Sequence, residues 1–502
     1  MPPASSTQAA STLLQLPAEL LSVILSRLDT RDLARFAATC RSLCRDAPAL
    51  PAPRAIRPVE TELRWRAESR GLDVGSSLPE GATSWVAYLL KRDRRYAQMR
   101  QAPLAVGPEH SVFMDIEGRL LTCGSEMDGS TPLLGHAVDP DASPNANMLR
   151  KIGPPTPVPA MQDRRIISVA TSDRHCLALS AESVVYSWTN GNHGALGHAD
   201  EGPRAVPSRI ESLSRVESIA AGPYFTSAAV DEVGRLFTWG LADASHDGVT
   251  MSNGLGYAAD SQTKSQLTPK RVDALSQDRV VGVALGGKGF TLAATDAGAV
   301  FSFGFSWADA LGHRSSTSEV LPRRIEALAE TGRRFVAVAA GDWHALALTE
   351  EGELYGWGGD RANGHGRYEQ TPRRVAALLG ERVKLMYARE DASCAVTEKR
   401  ELFTWSSAGD YYHIGHDYYN LGHGVDKPQA TPKRVDGVGW ARVAAVALGE
   451  YRTLAADEDG VVWAFGKLPA RLVDPNHGNA NNFIVKAPTP VPTLRVRALK
   501  SP

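Results

Sequence analysis

The chain has little of what would place it in several common classes. Its 502 residues include five cysteines, Cys40, Cys44, Cys123, Cys176 and Cys394. They are odd in number and scattered, with no Cys-x-x-Cys pair, so neither a disulfide framework nor a zinc site is indicated. A reduced cytoplasmic or nuclear compartment fits best. No apolar run approaches the ~20 residues that a membrane span requires. Residues 1–15 hold no charged side chain, so the basic start of a signal or transit peptide is missing. Residues 1–13 read as a disordered tail. Lys+Arg 55 against Asp+Glu 56 leaves a formal net charge of −1. That balance removes the bulk basic field behind non-specific attraction to nucleic acid or acidic membranes, and neither is expected as a partner. Paired acid and base groups, metal-ligand clusters and activated nucleophiles are also missing. No catalytic residue, metal or cofactor is expected.

What the chain has in quantity is turns. Gly 45 and Pro 31 are on the high side and favour many short strands, while 502 residues are too many for one ordinary core. The stretch GDWHALALTEEGELYGWG, Gly341 to Gly358, returns in diluted form along most of the sequence. Aligned on its Trp-Gly end it gives Cys123-Gly124, Trp188-Thr189, Trp239-Gly240, Phe303-Gly304, Trp357-Gly358, Trp405-Ser406 and Phe465-Gly466, spaced 48–65 residues apart. Upstream stands a small-residue turn and then His110, His175, Phe290, His344 or Arg452. Downstream comes Leu134-Gly135-His136, Leu196-Gly197-His198, Leu255-Gly256-Tyr257, Leu311-Gly312-His313 or Leu421-Gly422-His423. An X-Pro step then opens another apolar stretch, as at Thr371-Pro372 and Thr489-Pro490.

Each unit reads as four strands. Phe335–Ala340 is small and β-branched, as a strand buried on both faces should be. Ala345–Thr349 and Glu353–Trp357 are joined by the turn Glu350-Glu351-Gly352, and Pro opens the fourth strand where no ladder donor is lost. Seven such units predict an all-β seven-bladed β-propeller over 101–499; a stacked solenoid is the competing architecture, with shorter repeats. The phrases AGDWHALALTEEGELYGWG, LGH and TPRRV resemble the regulator-of-chromosome-condensation (RCC-type) repeat, which folds as such a propeller. Units three and six depart from it, at Thr226 and at Arg389 and Ala392. The recurring His and Trp residues read as packing and hydrogen-bonding elements between blades, not as catalytic groups. Gly286–Gly289 lacks the Ser/Thr and spacing of a phosphate loop.

A second pattern precedes the repeats. In LQLPAELLSVILSRLDTRDLARFAATCRSLCRDA, Leu14 to Ala47, Leu16, Leu20, Ile24 and Leu28 share one helical stripe that Leu21 and Leu25 widen. Pro17 suits a first turn, and Asp29 can cap a second helix carrying Leu33, Phe36, Cys40 and Leu43. So small an all-α module cannot bury a core alone and calls for a partner over its apolar face. The stretch 14–47 resembles an F-box, with Cys44 where the motif usually has Trp. The resemblance implies docking of Leu16, Pro17, Leu20, Leu21, Ile24, Leu25, Leu28 and Leu33 onto the Skp-type adaptor of a cullin–RING (SCF) ubiquitin ligase, and through it the cullin and RING subunits. An ordinary helical hairpin packed on the propeller is the plain alternative. Residues 48–100 form a Pro-rich linker with helices at 61–70 and 84–100.

Together the two modules resemble a non-catalytic substrate receptor, with the propeller binding an unknown protein. The alternatives are exchange activity on a Ran-type GTPase, known for the repeat's founding member, or an F-box scaffold without a ligase role. In an antiparallel blade the first-to-second and third-to-fourth connections emerge together, opposite the short second-to-third turns. The irregular loops gather on that face, including insertions around 241–253, 407–419 and 467–482. Trp307, Trp343, Tyr411, Tyr412, Tyr451 and Arg452 are its candidate substrate-binding residues, against the reading that they plug the channel mouth or pack their own loops.

Overall fold

The computed structural model describes residues 102–496 apart from 109, 126–133, 137–150, 224, 242, 247–248, 253, 259–263, 360–361, 407–420, 426, 437–441, 470–471 and 473–481. The F-box side chains from Leu16 to Leu33, the tail, the two linker helices, Tyr411 and Tyr412 lie outside the described residues. The chain divides into two compact units, Met1–Gln98 with Pro502, and Met99–Ser501. All described residues belong to the second.

That unit is a ring of seven four-stranded antiparallel sheets at 104–157, 166–209, 216–271, 280–324, 335–374, 383–434 and 443–495. In each blade the strands lie in chain order, which excludes the stacked solenoid. The third blade adds a hairpin, Asp243–His246 with Val249–Ser252, within its 3–4 connection. The first strands line a central channel of about 290 Å³ with Ala170, Ala220, Ala284, Ala337 and Ala447. Small side chains are needed there because seven strands converge on one axis.

The core lies between the sheets. Phe290, Leu292 and Val300 of blade four meet Phe335, Ala347 and Trp357 of blade five in one cluster, and the neighbouring pairs repeat this arrangement. Across the seam, Leu104, Val106 and Phe113 of blade one pack with Ala445, Leu454, Val491 and Val496. Both blades are built from their own strands, so the ring closes without strand exchange. One isolated bridge, Asp115 to Val496, joins them.

The last strand corrects the sequence reading. The pattern places it at Thr489–Leu499 and treats 467–482 as an insertion. Instead the third strand of blade seven runs Val461–Pro469 and the fourth runs Asn482–Arg495, with Val485 opposite Gly466. Pro488, Pro490 and Pro492 are tolerated because an outer strand needs no donor on its free edge. The segment Phe483-Ile484-Val485, apolar and β-branched, was the available strand signal.

Candidate recognition face

The repeated residues account for one another, and this separates structure from function. Directly opposite the second residue of each Trp-Gly-type pair on the third strand sits the upstream slot: His110 faces Gly124, His175 faces Thr189, His344 faces Gly358 and Arg452 faces Gly466. Gly358 has φ +92°, and a Cβ there would lie 2.5 Å from the Trp343 carbonyl, so the turn demands glycine. His344 folds back over Gly341, where a Cβ would come within 2.1 Å of its ring. Its Nε2 is 2.7 Å from Ser393 Oγ in the next blade. Ser393 gives its own proton to the Ala362 carbonyl, which also accepts from Trp405 Nε1 at 2.7 Å. His175, Ser227, Ala195 and Trp239 repeat the device between blades two and three. The downstream His binds its own blade: His198 Nε2 lies 2.9 Å from Ser187 Oγ, and His313 Nε2 lies 2.8 Å from Ser302 Oγ. Blade five performs this with Asn363-Gly364-His365, whose Nε2 lies 3.2 Å from the Gly356 carbonyl. The Leu-Gly-His pattern misses that variant.

Burial holds His344 down to about 3, so it is neutral and serves as a joint. The folded value is depressed, so its contribution is complete above the unfolded value of 6.5 and is lost as pH falls from there toward 3. Urea unfolding should therefore show His344→Gln losing about 2 kcal/mol less than the natural chain between pH 7 and pH 5. Parallel pH profiles would exclude a buried neutral histidine.

On one side of the ring the 2–3 turns are short and alike. Asp115, Asp231 and Asp457 each accept two backbone N–H groups of their own turn. The opposite side carries the 1–2 and 3–4 connections, and here Trp307 and Trp343 come together. Trp307, 52 % exposed, leaves blade four on its 3–4 connection. It stands 5.5 Å from the half-buried Trp343 on the 1–2 connection of blade five, and 5.8 Å from Phe305. Ala308 and Asp309 follow it with φ +50° and +52°. Two successive left-handed non-glycine residues store strain, and Asp309 is tied by the hydroxyl of Tyr368. Tyr451 lies half-buried with Lys467 over its ring at 5.0 Å.

Arg452 does not belong with them. It is 2 % exposed, and Nη2 donates to the Gly107 and His110 carbonyls at 3.0 and 3.1 Å. The side chain occupies the seventh His slot, so it turns inward into the seam.

The channel mouth holds groups that no repeat announces. Arg389, in the slot where most blades have Gly and blade two has Ser172, crosses from blade six to blade two. It donates to the Thr171 carbonyl at 2.9 Å and to Asp173 at 2.5 Å. Lys288 lies 3.6 Å from Asp342 and 4.9 Å from the Trp343 ring centre. Backbone bonds Gly287 N–Gly341 O and Asp342 N–Glu390 O stitch blades four, five and six. Burial, with Asp391 and Asp173 nearby, raises Asp342 to about 6 despite Lys288. Burial first, then Glu450, Asp173 and Asp342, raises Glu390 to about 9 against the pull of Arg389. Among the described residues no cluster of His, Cys, Asp and Glu could hold a metal ion.

Comparison with known families adds what the propeller alone withholds. Residues 13–47 match the F-box-like family model, and residues 182–229 and 297–348 match the regulator of chromosome condensation (RCC1) repeat. A second model of that repeat matches 335–367. The chain carries an F-box-like domain followed by RCC1 repeats. This F-box-like RCC1-repeat protein is 35 % identical over 383 residues to the human E3 ubiquitin-protein ligase HERC2, covering 74 % of this chain and 7 % of the ligase. It thus spans a small part of that relative's length. The ultraviolet-B receptor UVR8 of Arabidopsis thaliana is 32 % identical over 258 residues, 50 % of this chain and 55 % of the receptor. Prp20p of Saccharomyces cerevisiae, a solved structure, shares the fold with a TM-score of 0.59 at 22 % identity, covering 79 % of this chain and 88 % of that one. An F-box joined to an RCC1-type propeller fits an F-box substrate receptor.

Proposed function

We propose that the protein is the substrate-recognition subunit of an SCF-type cullin–RING ubiquitin ligase. The F-box-like domain docks on the Skp-type adaptor, which brings cullin and RING subunits, and the propeller holds the target protein. The observation that carries this reading is the F-box-like match at 13–47 ahead of the RCC1 repeats. The chain is not itself an enzyme. It acts by proximity, raising the effective concentration of target lysine beside a charged ubiquitin-conjugating enzyme. Its setting is a reducing compartment, cytoplasm or nucleus. That the human relative HERC2 is named an E3 ubiquitin-protein ligase supports an association of such propellers with ubiquitin transfer. The exchange-factor alternative rests on shared fold, which does not carry function.

The test is co-purification with the adaptor. Leu20→Asp with Ile24→Asp would set two charges in an apolar contact at a cost of several kcal/mol. Adaptor binding by the full chain should disappear while the melting transition of the propeller stays in place. Full-strength binding by the double variant, or accelerated nucleotide release from a Ran-type GTPase by the natural chain, would overturn the reading.

A further inference from the structure

The geometry points to Thr431, on the outermost strand of blade six, as a phosphorylation site for a proline-directed protein kinase. This inference goes beyond the substrate-receptor reading and does not depend on it.

The X-Pro step of the fourth strands carries more than the fold asks of it in three places. At Thr268, Thr371 and Thr431 a Thr precedes the Pro and an Arg stands three residues after the Thr. No other Ser-Pro or Thr-Pro step in the chain has a cation at that third position. The proline has an architectural task. Pro372 Cδ lies 3.3 Å from where a Cβ would stand on Gly312, and Pro269 Cδ lies 3.2 Å from the same point on Gly197. The threonine hydroxyl has none, because Val206 and Leu321 hold the same register position, directly before the Pro, in blades two and four. The ion pairs of Arg434 with Glu401 and Asp436, at 2.9 and 3.0 Å, are exposed and give it little structural weight.

Among the three, the structure singles out Thr431. Thr268 and Thr371 are half-buried and Pro372 is buried, whereas Thr431 is exposed together with Lys427, Pro428, Lys433 and Arg434. The strand Gln429–Arg434 is the outermost of its sheet, so one edge is open and the backbone is already extended, as an acceptor entering a kinase cleft must be. Its ladder is interrupted at the site. Gln429 pairs with Ser406 and Lys433 with Thr404, so Ala430, Thr431 and Pro432 bulge opposite Trp405 alone. Within the bulge Gln429 Nε2 donates to the Thr431 carbonyl at 2.8 Å and to its Oγ1 at 3.3 Å. The hydroxyl is therefore an acceptor, and among the described residues no group takes its own proton. A cleft that reads the missing N–H of Pro432 and the charge of Arg434 finds both beside the acceptor. Transfer moves the γ-phosphoryl group of ATP onto Thr431 Oγ1. The Oγ1–P bond forms, the bond from that phosphorus to the leaving ADP oxygen breaks, and the hydroxyl proton passes to the kinase's base. The product carries about −1.5 to −2 extra charge two residues from Lys433, on the rim rather than on the irregular loops.

The experiment is phosphorylation of the folded full chain by a purified cyclin-dependent kinase with its cyclin and ATP, each site being followed by mass spectrometry of proteolytic peptides. Thr431 should be labelled about tenfold faster than Thr268 and Thr371, in line with exposure. Pro432→Ala should slow Thr431 about tenfold and Arg434→Ala severalfold, while Arg434→Lys, which keeps the cation, should retain most of the rate. Circular dichroism checks that each variant is folded, and the two Arg434 variants leave the proline of the bulge in place. Absence of phosphate on Thr431, labelling of Thr268 or Thr371 as fast as Thr431, or a rate indifferent to both Pro432→Ala and Arg434→Ala would each overturn the inference.

Discussion

A chain ended at Lys486 should be aggregation-prone and should lose its cooperative melting transition. The cut removes most of the strand Asn482–Arg495 and with it Val491, Leu494 and Val496, buried to 1 %, 2 % and 0 % exposure. Each buried aliphatic side chain is worth about 1.5–3 kcal/mol, so three of them approach the roughly 5–15 kcal/mol that holds a typical domain together. The truncation also frees the edge of Val461–Pro469 to pair with another chain, and removes the Asp115–Val496 bridge across the seam. Light scattering and differential scanning calorimetry of the truncated and full chains decide the matter. A truncated protein as soluble and cooperative as the original would mean that blade seven does not need this strand.

The second large effect is expected at Arg452. Arg452→Met keeps the length of the side chain and removes its donors, leaving the Gly107 and His110 carbonyls without their guanidinium partner inside a closed seam. The His110 carbonyl keeps the Gly107 N–H, and an unsatisfied buried acceptor at Gly107 costs about 1–3 kcal/mol, so urea unfolding at pH 7 should show about 1–3 kcal/mol less stability. The seam is sensitive because no connecting segment runs from blade seven to blade one, whereas every other pair of neighbours is joined by the chain. A change below about 0.5 kcal/mol would show that apolar packing of Leu104, Phe113 and Leu454 suffices. The sequence pattern places Arg452 among the binding residues, whereas its burial in the seam makes it structural.

What the sequence discloses here is what recurs. A contact made at each junction of a ring needs similar residues at similar places, so Trp-Gly, the upstream His and Leu-Gly-His reveal both the seven-fold architecture and their own structural role. Alternation along antiparallel strands also places the irregular loops on one side. Contacts made once leave no period to detect. Arg389 reaches Asp173 across 216 positions of sequence, and its appearance in a glycine slot registers only as a departure from pattern. The same holds for Asp342 and Glu390, whose proton affinities are raised first by burial and then by carboxylates on other blades. Arg452 misleads for the opposite reason: its position in a turn suggests solvent, while its phase in the repeat, shared with His110 and His344, predicts burial. Phase was the better guide.

The seam has a further meaning. Because neither end of the propeller lends a strand to the other, the joint between blades seven and one is made of side-chain packing, the Arg452 contacts and the single Asp115–Val496 bridge. The order in which blades occur along the polypeptide is therefore independent of the shape they make. A circularly permuted chain, begun at any other blade and with the present ends linked, would encode the same ring. The molecule keeps no topological record of where its chain begins.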